Sequence, residues 1–359
     1  MEFTKQDTKI IKGVAICFML FHHLFAFPER VTEGTFVSLW YFNETNLAVC
    51  LGAFGRICVP IFTFLSGYGI YRSPLKSGDC SALAVRHIRS LYKTYLMVFF
   101  VCLPVIVYKS FFSRRSLIAY DIIYNFLGLS FTFNNEWWFV LPFAVLLVLF
   151  PAMKRFAERR RAGLCIDLFL VLILNAVIVY IIPYVMTLSV FAGLSSTVFW
   201  SRTREVLELL PAFLTGIIFA RWDVLSAVKT RFGGRLLWCA AAVAGMCAIF
   251  LVRAHNAKYY DFVNAAAFVM CLTVLLPTKP MALAGRVLAK LGEESAIMWL
   301  VHTFLCYYWL QRLVYAPKYA VLIFLWLVAL SYGFAKLIRL LWKLIGTVCS
   351  RLLKPRTEV

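Results

Sequence analysis

The sequence predicts an all-α fold, a polytopic integral membrane bundle of about ten transmembrane helices with both termini in the cytoplasm. Two bulk properties carry this prediction: 62% of the 359 residues are hydrophobic, and the mean hydropathy is +0.82. A soluble protein of this size could not bury so much apolar surface. The formal net charge of +20 comes from basic residues gathered in short segments between apolar runs. Cytoplasmic loops have this pattern, whereas a nucleic-acid-binding module is not expected here.

Ten segments are long and apolar enough to cross a bilayer, which takes roughly 20 residues. Residues 116–133 are a candidate short extra helix, and residues 184–200 are an apolar stretch that is either re-entrant or on the surface. We assign residues 1–341 to one transmembrane domain and residues 342–359 to a basic tail along the inner membrane surface, attracted to anionic lipid. The ten predicted spans are 9–27, 46–71, 91–108, 136–153, 163–182, 205–221, 235–252, 259–277, 295–313 and 319–341.

The lysines and arginines predict the orientation. With both ends in the cytoplasm, 26 of the 37 Lys and Arg residues fall on the inside and 10 on the outside. Only Arg56 then lies within a span. This bias agrees with the positive-inside rule. The chain has no internal repeat and no soluble domain, so its chemistry is expected within the membrane domain or at its edge.

Two adjacent histidines, His22 and His23, lie in the outer half of the first span. Lys12 precedes His23 by eleven residues, about 16 Å along a helix, so it can stay at the inner surface while the histidine lies deep in the span. Imidazole can take a proton from a hydroxyl near neutral pH, which makes His23 a candidate general base. Packing against neighbouring helices is the alternative. Adjacent side chains point about 100° apart, so at most one ring is expected to face a cavity squarely.

The second span contains Arg56 and, near its inner end, Ser66-Gly67-Tyr68. A guanidinium at this depth needs an anion, carbonyl groups or water; the alternative is an arginine that reaches up to the outer surface. Glycine allows a backbone or a ligand to come close, and the neighbouring hydroxyls can bond to it.

The third span is preceded on the inside by Arg86, Arg89 and Lys93, which are spaced to share one helix face. Such a face can bind phosphate groups, or it can be an ordinary positive-inside flank.

Two further polar residues need an explanation. Glu136 opens the fourth span and could pair with Arg56 or orient a histidine. Trp137 and Trp138 follow it directly, and at least one is expected to be an anchor at the membrane interface. His302 lies in the middle of the ninth span without a partner nearby in sequence. Both hypotheses for His302, a packed histidine and a functional one, stay open.

Most of the eleven cysteines lie in apolar runs, and no Cys-x-x-Cys occurs. They are expected to be small packing residues, and neither a disulfide framework nor a metal site is predicted.

Five sequence features together resemble the acyltransferase 3 family, the integral membrane O-acyltransferases that modify bacterial surface polysaccharides. They are Lys12-x10-His23, Val59-Pro-Ile-Phe-x3-Ser66-Gly67-Tyr68, the Arg86/Arg89 run, Trp137-Trp138 and Ser295-x6-His302. The resemblance covers residues 6 to 340. Lys12 stands where many members have arginine, which keeps the charge but loses the fork geometry.

The resemblance implies a multi-pass protein of the bacterial cytoplasmic membrane that moves an acyl group, usually acetyl, from cytoplasmic acyl-CoA to a sugar hydroxyl. The carbohydrate is then at the cell surface or linked to lipid, and acyl-CoA is a co-substrate rather than a tightly bound cofactor. The catalytic residues would be His23, Arg56, Glu136 and His302. The residues that bind acyl-CoA would be Lys12, Ser66, Gly67, Tyr68, Arg86, Arg89 and Lys93.

Two other classes of function stay open at this stage. Buried His, Arg and Glu residues also suit the proton relay of a secondary transporter, although the sequence has no inverted repeat and no matching pair of broken spans. In a flippase or scaffold, the same polar residues would only hold helices together. The sequence does not give the oligomeric state, the acceptor or the acyl chain.

Overall fold

The computed structural model describes residues 1–37, 40–42, 45–75, 79–112, 119–159, 163–255 and 258–352, and nearly all of them are helical. A two-residue antiparallel pair, β1 (Tyr41–Phe42) and β2 (Thr45–Asn46), forms the only sheet in these ranges. The α-helices are α1 (Lys5–Phe25), α2 (Leu47–Gly55), α3 (Cys58–Tyr71), α4 (Cys80–Phe112), α5 (Ala119–Phe126), α6 (Val140–Arg159), α7 (Leu164–Ala176), α8 (Ile182–Val185), α9 (Ala192–Ser195), α10 (Val198–Arg221), α11 (Val224–Phe232), α12 (Leu236–His255), α13 (Asp261–Leu275), α14 (Lys279–Thr303), α15 (Gln311–Tyr315) and α16 (Ala320–Leu352).

Short segments of other helix types join several of these helices. Two are π-helical, and each directly continues a long α-helix: Val177–Ile181 after α7 and Phe304–Trp309 after α14. Four are 3-10 helices: Pro28–Arg30, Asn135–Phe139, Ser189–Phe191 and Lys258–Tyr260.

The prediction of an all-α polytopic membrane bundle is confirmed. Within the described residues, seven helical segments are long and apolar enough to cross a membrane, and two bent pairs raise the number to nine. One bent pair joins α10 to α11 at 64°, and the other joins α13 to α14 at 119°. The predicted number of ten counts α13 and α14 as separate spans, whereas they meet the length and hydropathy criteria only together.

Three sequence predictions fall at the borders of this bundle. The short extra helix is α5, which is narrower than residues 116–133; residues 116–118 lie outside the described ranges. Residues 184–197 form only short turns of helix, and residues 198–200 already belong to α10. The boundary predicted at 341–342 falls inside α16, which continues without a break to Leu352, and residues 353–359 lie outside the described ranges.

Helix α1 lies at the centre of the bundle. Its first turn is fixed by a capping box, in which the Thr4 hydroxyl accepts from the Asp7 amide and the Asp7 carboxylate accepts from the Thr4 amide. The Asp7 carboxylate also pairs with Lys229 of α11 at 2.6 Å, which fixes the chain start against the bent end of α10 and α11. Pro28 follows the helix, and the chain turns there.

Glycines set the closest helix crossings. A Cβ on Gly13 of α1 would collide with the Leu288 carbonyl of α14, and one on Gly292 of α14 would collide with the Lys9 carbonyl of α1. A second crossing joins α3 to α10, where a Cβ on Gly67 would meet the Phe213 backbone. Small residues at such crossings let helix backbones approach closely in a membrane.

The second predicted span is broken where α2 ends and α3 begins, at Arg56. Arg253 of α12 braces this break: its Nη1 donates to the carbonyls of Ala53 and Phe54 at 3.0 and 2.8 Å. The same guanidinium forms a bidentate pair with Asp261, at 2.7 and 2.9 Å. Carbonyls at a helix end have no partner within the helix, so the buried arginine satisfies groups that the break exposes.

Candidate active site

A cavity of about 470 Å³ lies between α1, α3, α4, α6, α10 and α14. Its size falls in the range of roughly 300–1,000 Å³ that is usual for small-molecule sites. Both apolar and polar side chains border it. The polar and ionisable ones are Lys12, His22, His23, Arg30, Arg56, Cys58, Ser66, Glu136, Arg204, Glu205, Glu208 and Ser295.

The cavity has two ends, which we call the lysine end and the histidine end. Lys12 and Ser66 mark the lysine end, and His23 and Arg56 mark the histidine end. His23 follows Lys12 by eleven positions along α1, which is about 16 Å along the helix. The cavity therefore connects levels of the bundle that are well apart along the helix axes, as the sequence predicted for these residues.

Two imidazoles and a carboxylate meet at the histidine end. The Nε2 atom of His23 is 3.4 Å from Oε2 of Glu136, and both side chains are largely buried. The His302 ring packs beside His23, with 4.8 Å between the ring centroids. Glu136 thus lies next to a histidine and forms no ion pair with Arg56, and its role in orienting a histidine stays a prediction.

Hydrogen bonds hold the His302 ring in one orientation. Its Nδ1 is 2.7 Å from the carbonyl of Trp299 and 3.2 Å from that of Met298, so Nδ1 carries the proton and donates to its own helix. The opposite nitrogen, Nε2, is buried and has no hydrogen-bond partner among the described residues; the same is true of His23 Nδ1. His302 itself is fully buried and does not border the cavity.

A buried polar network places Glu136 opposite these rings. Asn134 caps the 3-10 turn by accepting from the Glu136 amide at 3.0 Å, and it also accepts from the Thr303 hydroxyl at 2.8 Å. The Trp137 indole donates to the Leu300 carbonyl at 2.9 Å. The turn is therefore attached to α14 on either side of His302, so the carboxylate and the ring share one support.

The two tryptophans differ in their surroundings, and the expectation that at least one is an interface anchor stays a prediction for the half-buried Trp138. Trp137 is 2% exposed and belongs to the core, so it is not an interface anchor. Trp138 borders the cavity. A buried tryptophan N–H needs a hydrogen-bond acceptor, and the Leu300 carbonyl provides one for Trp137 in the core.

His22 also borders the cavity and contacts α2. Its Nδ1 is 2.8 Å from the Gly52 carbonyl of α2. Since a carbonyl only accepts, Nδ1 carries the proton and Nε2 is the basic nitrogen. The two adjacent histidines are thus both at the cavity wall, although each is fixed by a different partner.

Arg56 caps α2 and borders the cavity at the histidine end. No carboxylate of the described residues lies within ion-pair distance of it, so its charge is directed to the cavity rather than to a protein partner. The sequence interpretation in which Arg56 serves an anion or a polarised oxygen stays a prediction.

Several residues predicted to bind acyl-CoA lie away from the cavity wall. Gly67 makes the close crossing to α10, so its role in this structure is to admit a backbone. Tyr68 packs on Phe3 with ring centroids 5.4 Å apart. Three basic residues of α4 are exposed and do not border the cavity: Arg86, Arg89 and Lys93. Of the predicted set, only Lys12 and Ser66 border the cavity.

Sequence reasoning missed the polar residues that complete the histidine end. Glu205 pairs with Arg202 at 2.7 Å. It also borders the cavity together with Arg204, Glu208 and Arg30. The spacing of residues 204, 205 and 208 on one helix, next to an otherwise apolar run, was the available signal.

A second missed group ties α1 to the π-helical segment after His302. Tyr307 donates to the His23 carbonyl, and Tyr315 donates to the Leu24 carbonyl at 2.7 Å. The last turn of α1 is therefore held by aromatic hydroxyls from the chain that follows α14. π-helical segments of this kind are frequent at functional sites.

The described part of the chain contains no group of three or more His, Cys, Asp or Glu arranged to hold a metal ion. The cysteines whose side chains are described are all free.

The fold and the site define a membrane protein with a histidine–glutamate pair inside its helical domain. The acyltransferase 3 family, whose model is described as an acyltransferase domain, matches residues 8–338. Because the match covers nearly the whole chain, the chain belongs to this family and is a multi-pass membrane acyltransferase. No curated protein and no solved structure matches it.

Proposed function

We propose that this acyltransferase moves an acetyl group from cytoplasmic acyl-CoA to a hydroxyl of a cell-surface or lipid-linked carbohydrate, in the cytoplasmic membrane of a bacterium. One observation carries the proposal: a single cavity connects a basic, hydroxyl-bearing end at Lys12 and Ser66 to a histidine–glutamate pair about 16 Å away. A long thioester and a hydroxyl could thus approach the pair from opposite ends.

The donor would enter at the lysine end. Lys12 and the exposed basic face of Arg86, Arg89 and Lys93 supply cations for the CoA phosphates. The thin pantetheine arm would extend past Ser66 towards His23. Along this route the wall includes the apolar side chains of Met19, Phe62 and Leu91, which suit an alkyl-amide arm better than a charged group.

The transfer itself needs a base. The contact between His23 Nε2 and Glu136, at 3.4 Å, is longer than a good N–H···O hydrogen bond of about 2.7–3.2 Å. Nε2 is therefore not committed as a donor to the carboxylate. His302 packs its ring beside that of His23, although no hydrogen bond joins the two rings. In the proposal, His23 carries its proton on Nδ1, which leaves His23 Nε2 as the base.

In the proposed reaction, the acceptor oxygen forms a bond to the thioester carbonyl carbon as His23 Nε2 takes the hydroxyl proton. Glu136 stabilises the imidazolium, and Arg56 stabilises the negative carbonyl oxygen. The intermediate collapses with cleavage of the carbon–sulfur bond. The CoA thiolate leaves and takes up the proton from His23, so the enzyme returns to its starting state.

Single substitutions test this assignment: His22→Ala, His23→Ala, Arg56→Ala and His302→Ala, with His87→Ala as the matched control because His87 lies on α4 away from the cavity wall. Acetylation of the surface glycan is measured at equal protein levels. His23→Ala is expected to lose roughly 10²–10⁴-fold, the usual contribution of a general base. If His23→Ala keeps full activity and His22→Ala loses it, His22 is the base and the proposed roles of Glu136 and His302 are wrong.

A further inference from the structure

A second cavity, of about 320 Å³, adjoins the first at the histidine end. The two cavities share Arg56, Val59, Trp138, Arg204 and Glu208 in their walls. Neither Lys12 nor Ser66 borders the second one. A molecule in the second cavity would therefore reach the His23–Glu136 pair without crossing the route from the lysine end.

The residues that belong only to the second cavity bring a different chemistry. Asn175 supplies an amide, Asp261 a carboxylate and Tyr259 an aromatic ring. With the shared guanidinium groups, Trp138 and Glu208, the wall holds hydrogen-bond donors and acceptors next to flat rings. Hydroxyl groups need donors and acceptors in close alternation, and the CH face of a sugar ring packs on an aromatic side chain.

The polar groups of this wall are held firmly. Asn175 is 6% exposed and donates through Nδ2 to the Tyr259 carbonyl at 3.0 Å, which leaves its Oδ1 as an acceptor. Both Asp261 oxygens accept from Arg253, at 2.7 and 2.9 Å. Each carboxylate oxygen keeps a further lone pair for another donor. Asp261 thus contributes acceptors while Arg253 neutralises its charge.

The backbone of this wall also includes a π-helical segment. Asn175 lies one residue before the end of α7, and Ile178 and Val179 of the following π-helical segment border the cavity. A π-helical segment is rare and occurs often at functional sites, because its extra residue changes the direction of the side chains around it.

We infer that the second cavity binds a sugar residue of the acceptor and directs its hydroxyl across Arg56 and Trp138 to the His23–Glu136 pair. The inference rests on the proposed acyltransferase function and deepens it, because it names the acceptor site. A lipid chain is the competing occupant, but it would offer no hydrogen bonds to the Asn175 Oδ1, the Glu208 carboxylate and the two guanidinium groups of the wall.

The test uses full-length protein in lipid nanodiscs, acetyl-CoA labelled in its acetyl group, and host surface polysaccharide stripped of its esters by mild alkali. Val179→Trp fills the cavity, and Asn175→Ala removes the amide acceptor. Ile173→Trp is the matched control, since Ile173 is 45% exposed on the same helix and does not border the cavity. For each protein, KM is measured separately for the polysaccharide and for acetyl-CoA.

Val179→Trp and Asn175→Ala are each expected to raise KM for the polysaccharide about ten-fold, as the loss of one good contact does, and to leave KM for acetyl-CoA within about two-fold. The control is expected to match the wild type. Wild-type transfer with an unchanged polysaccharide KM in both variants would overturn the inference and leave the acyltransferase function standing. A raised KM for acetyl-CoA instead would assign the cavity to the donor and also overturn it. If the wild type transfers no acetyl group, the proposed function fails, and the inference falls with it.

Discussion

Replacement of Glu136 by glutamine tests the electrostatic part of the site. The side chain keeps its size and stays on the turn that Asn134 and Trp137 attach to α14, so the geometry is preserved. What changes is the charge 3.4 Å from His23 Nε2. At an effective dielectric constant of about 20, two unit charges at that separation attract by about 5 kcal/mol, which is an upper bound for what Glu136 gives to the imidazolium.

A ten-fold change in rate corresponds to about 1.4 kcal/mol, so the upper bound of about 5 kcal/mol corresponds to a rate change between about 10³- and 10⁴-fold. We expect Glu136→Gln to lower kcat for acetyl transfer roughly 10²–10³-fold, with little change in KM for acetyl-CoA, because the charge matters only once the proton has moved. The assay follows labelled acetyl from acetyl-CoA to de-esterified polysaccharide in nanodiscs.

Glu205→Gln is the matched control, since Glu205 borders the same cavity but pairs with Arg202 at 2.7 Å. It is expected to retain activity within about ten-fold. A Glu136→Gln protein as active as this control would refute the view that the carboxylate stabilises a histidine cation during transfer.

Two predictions concern stability. Gly67→Ala is expected to destabilise the protein by about 1–3 kcal/mol, because its Cβ would overlap the Phe213 backbone; Gly69→Ala, where nothing lies within 4 Å, is the control, and equal melting temperatures in detergent would contradict the crossing. Arg253→Ala is expected to cost about 3–5 kcal/mol, because it leaves the Asp261 carboxylate buried without its partner. Lys9→Ala breaks an exposed pair and is expected to cost less than about 1 kcal/mol, so similar losses in the two variants would show that burial is not decisive.

Hydropathy and charge predicted the class of fold and the first span correctly, because a bilayer imposes the same length and polarity on every spanning helix. They could not count α13 and α14 as the structure has them, since α14 begins with charged residues and qualifies only together with its neighbour. The tail boundary at 341–342 stays a prediction; α16 runs through it to Leu352, because a basic, amphipathic sequence can also extend a helix.

The site was predicted in part. Lys12, His23, Arg56 and Glu136 stood out because an ionisable group in an apolar run is costly and needs a reason. Tertiary contacts were not readable in the same way. Nothing local in the sequence indicates that Arg253 braces the end of α2, or that the residue after Glu136 is a core tryptophan.

The close crossing of α1 and α14 at their glycines fixes how the two histidine-bearing helices are positioned along each other. Gly13 and Gly292 meet at one level, and His23 and His302 meet ten residues further along each chain. The two helices therefore run parallel, and the same number of residues lies between the glycine crossing and the histidine on each of them. One residue inserted between the glycine and the histidine of either helix would shift that histidine ring by about 1.5 Å along the helix and rotate it by about 100°. The contact between the two rings therefore depends on the number of residues in these segments as well as on the histidines themselves.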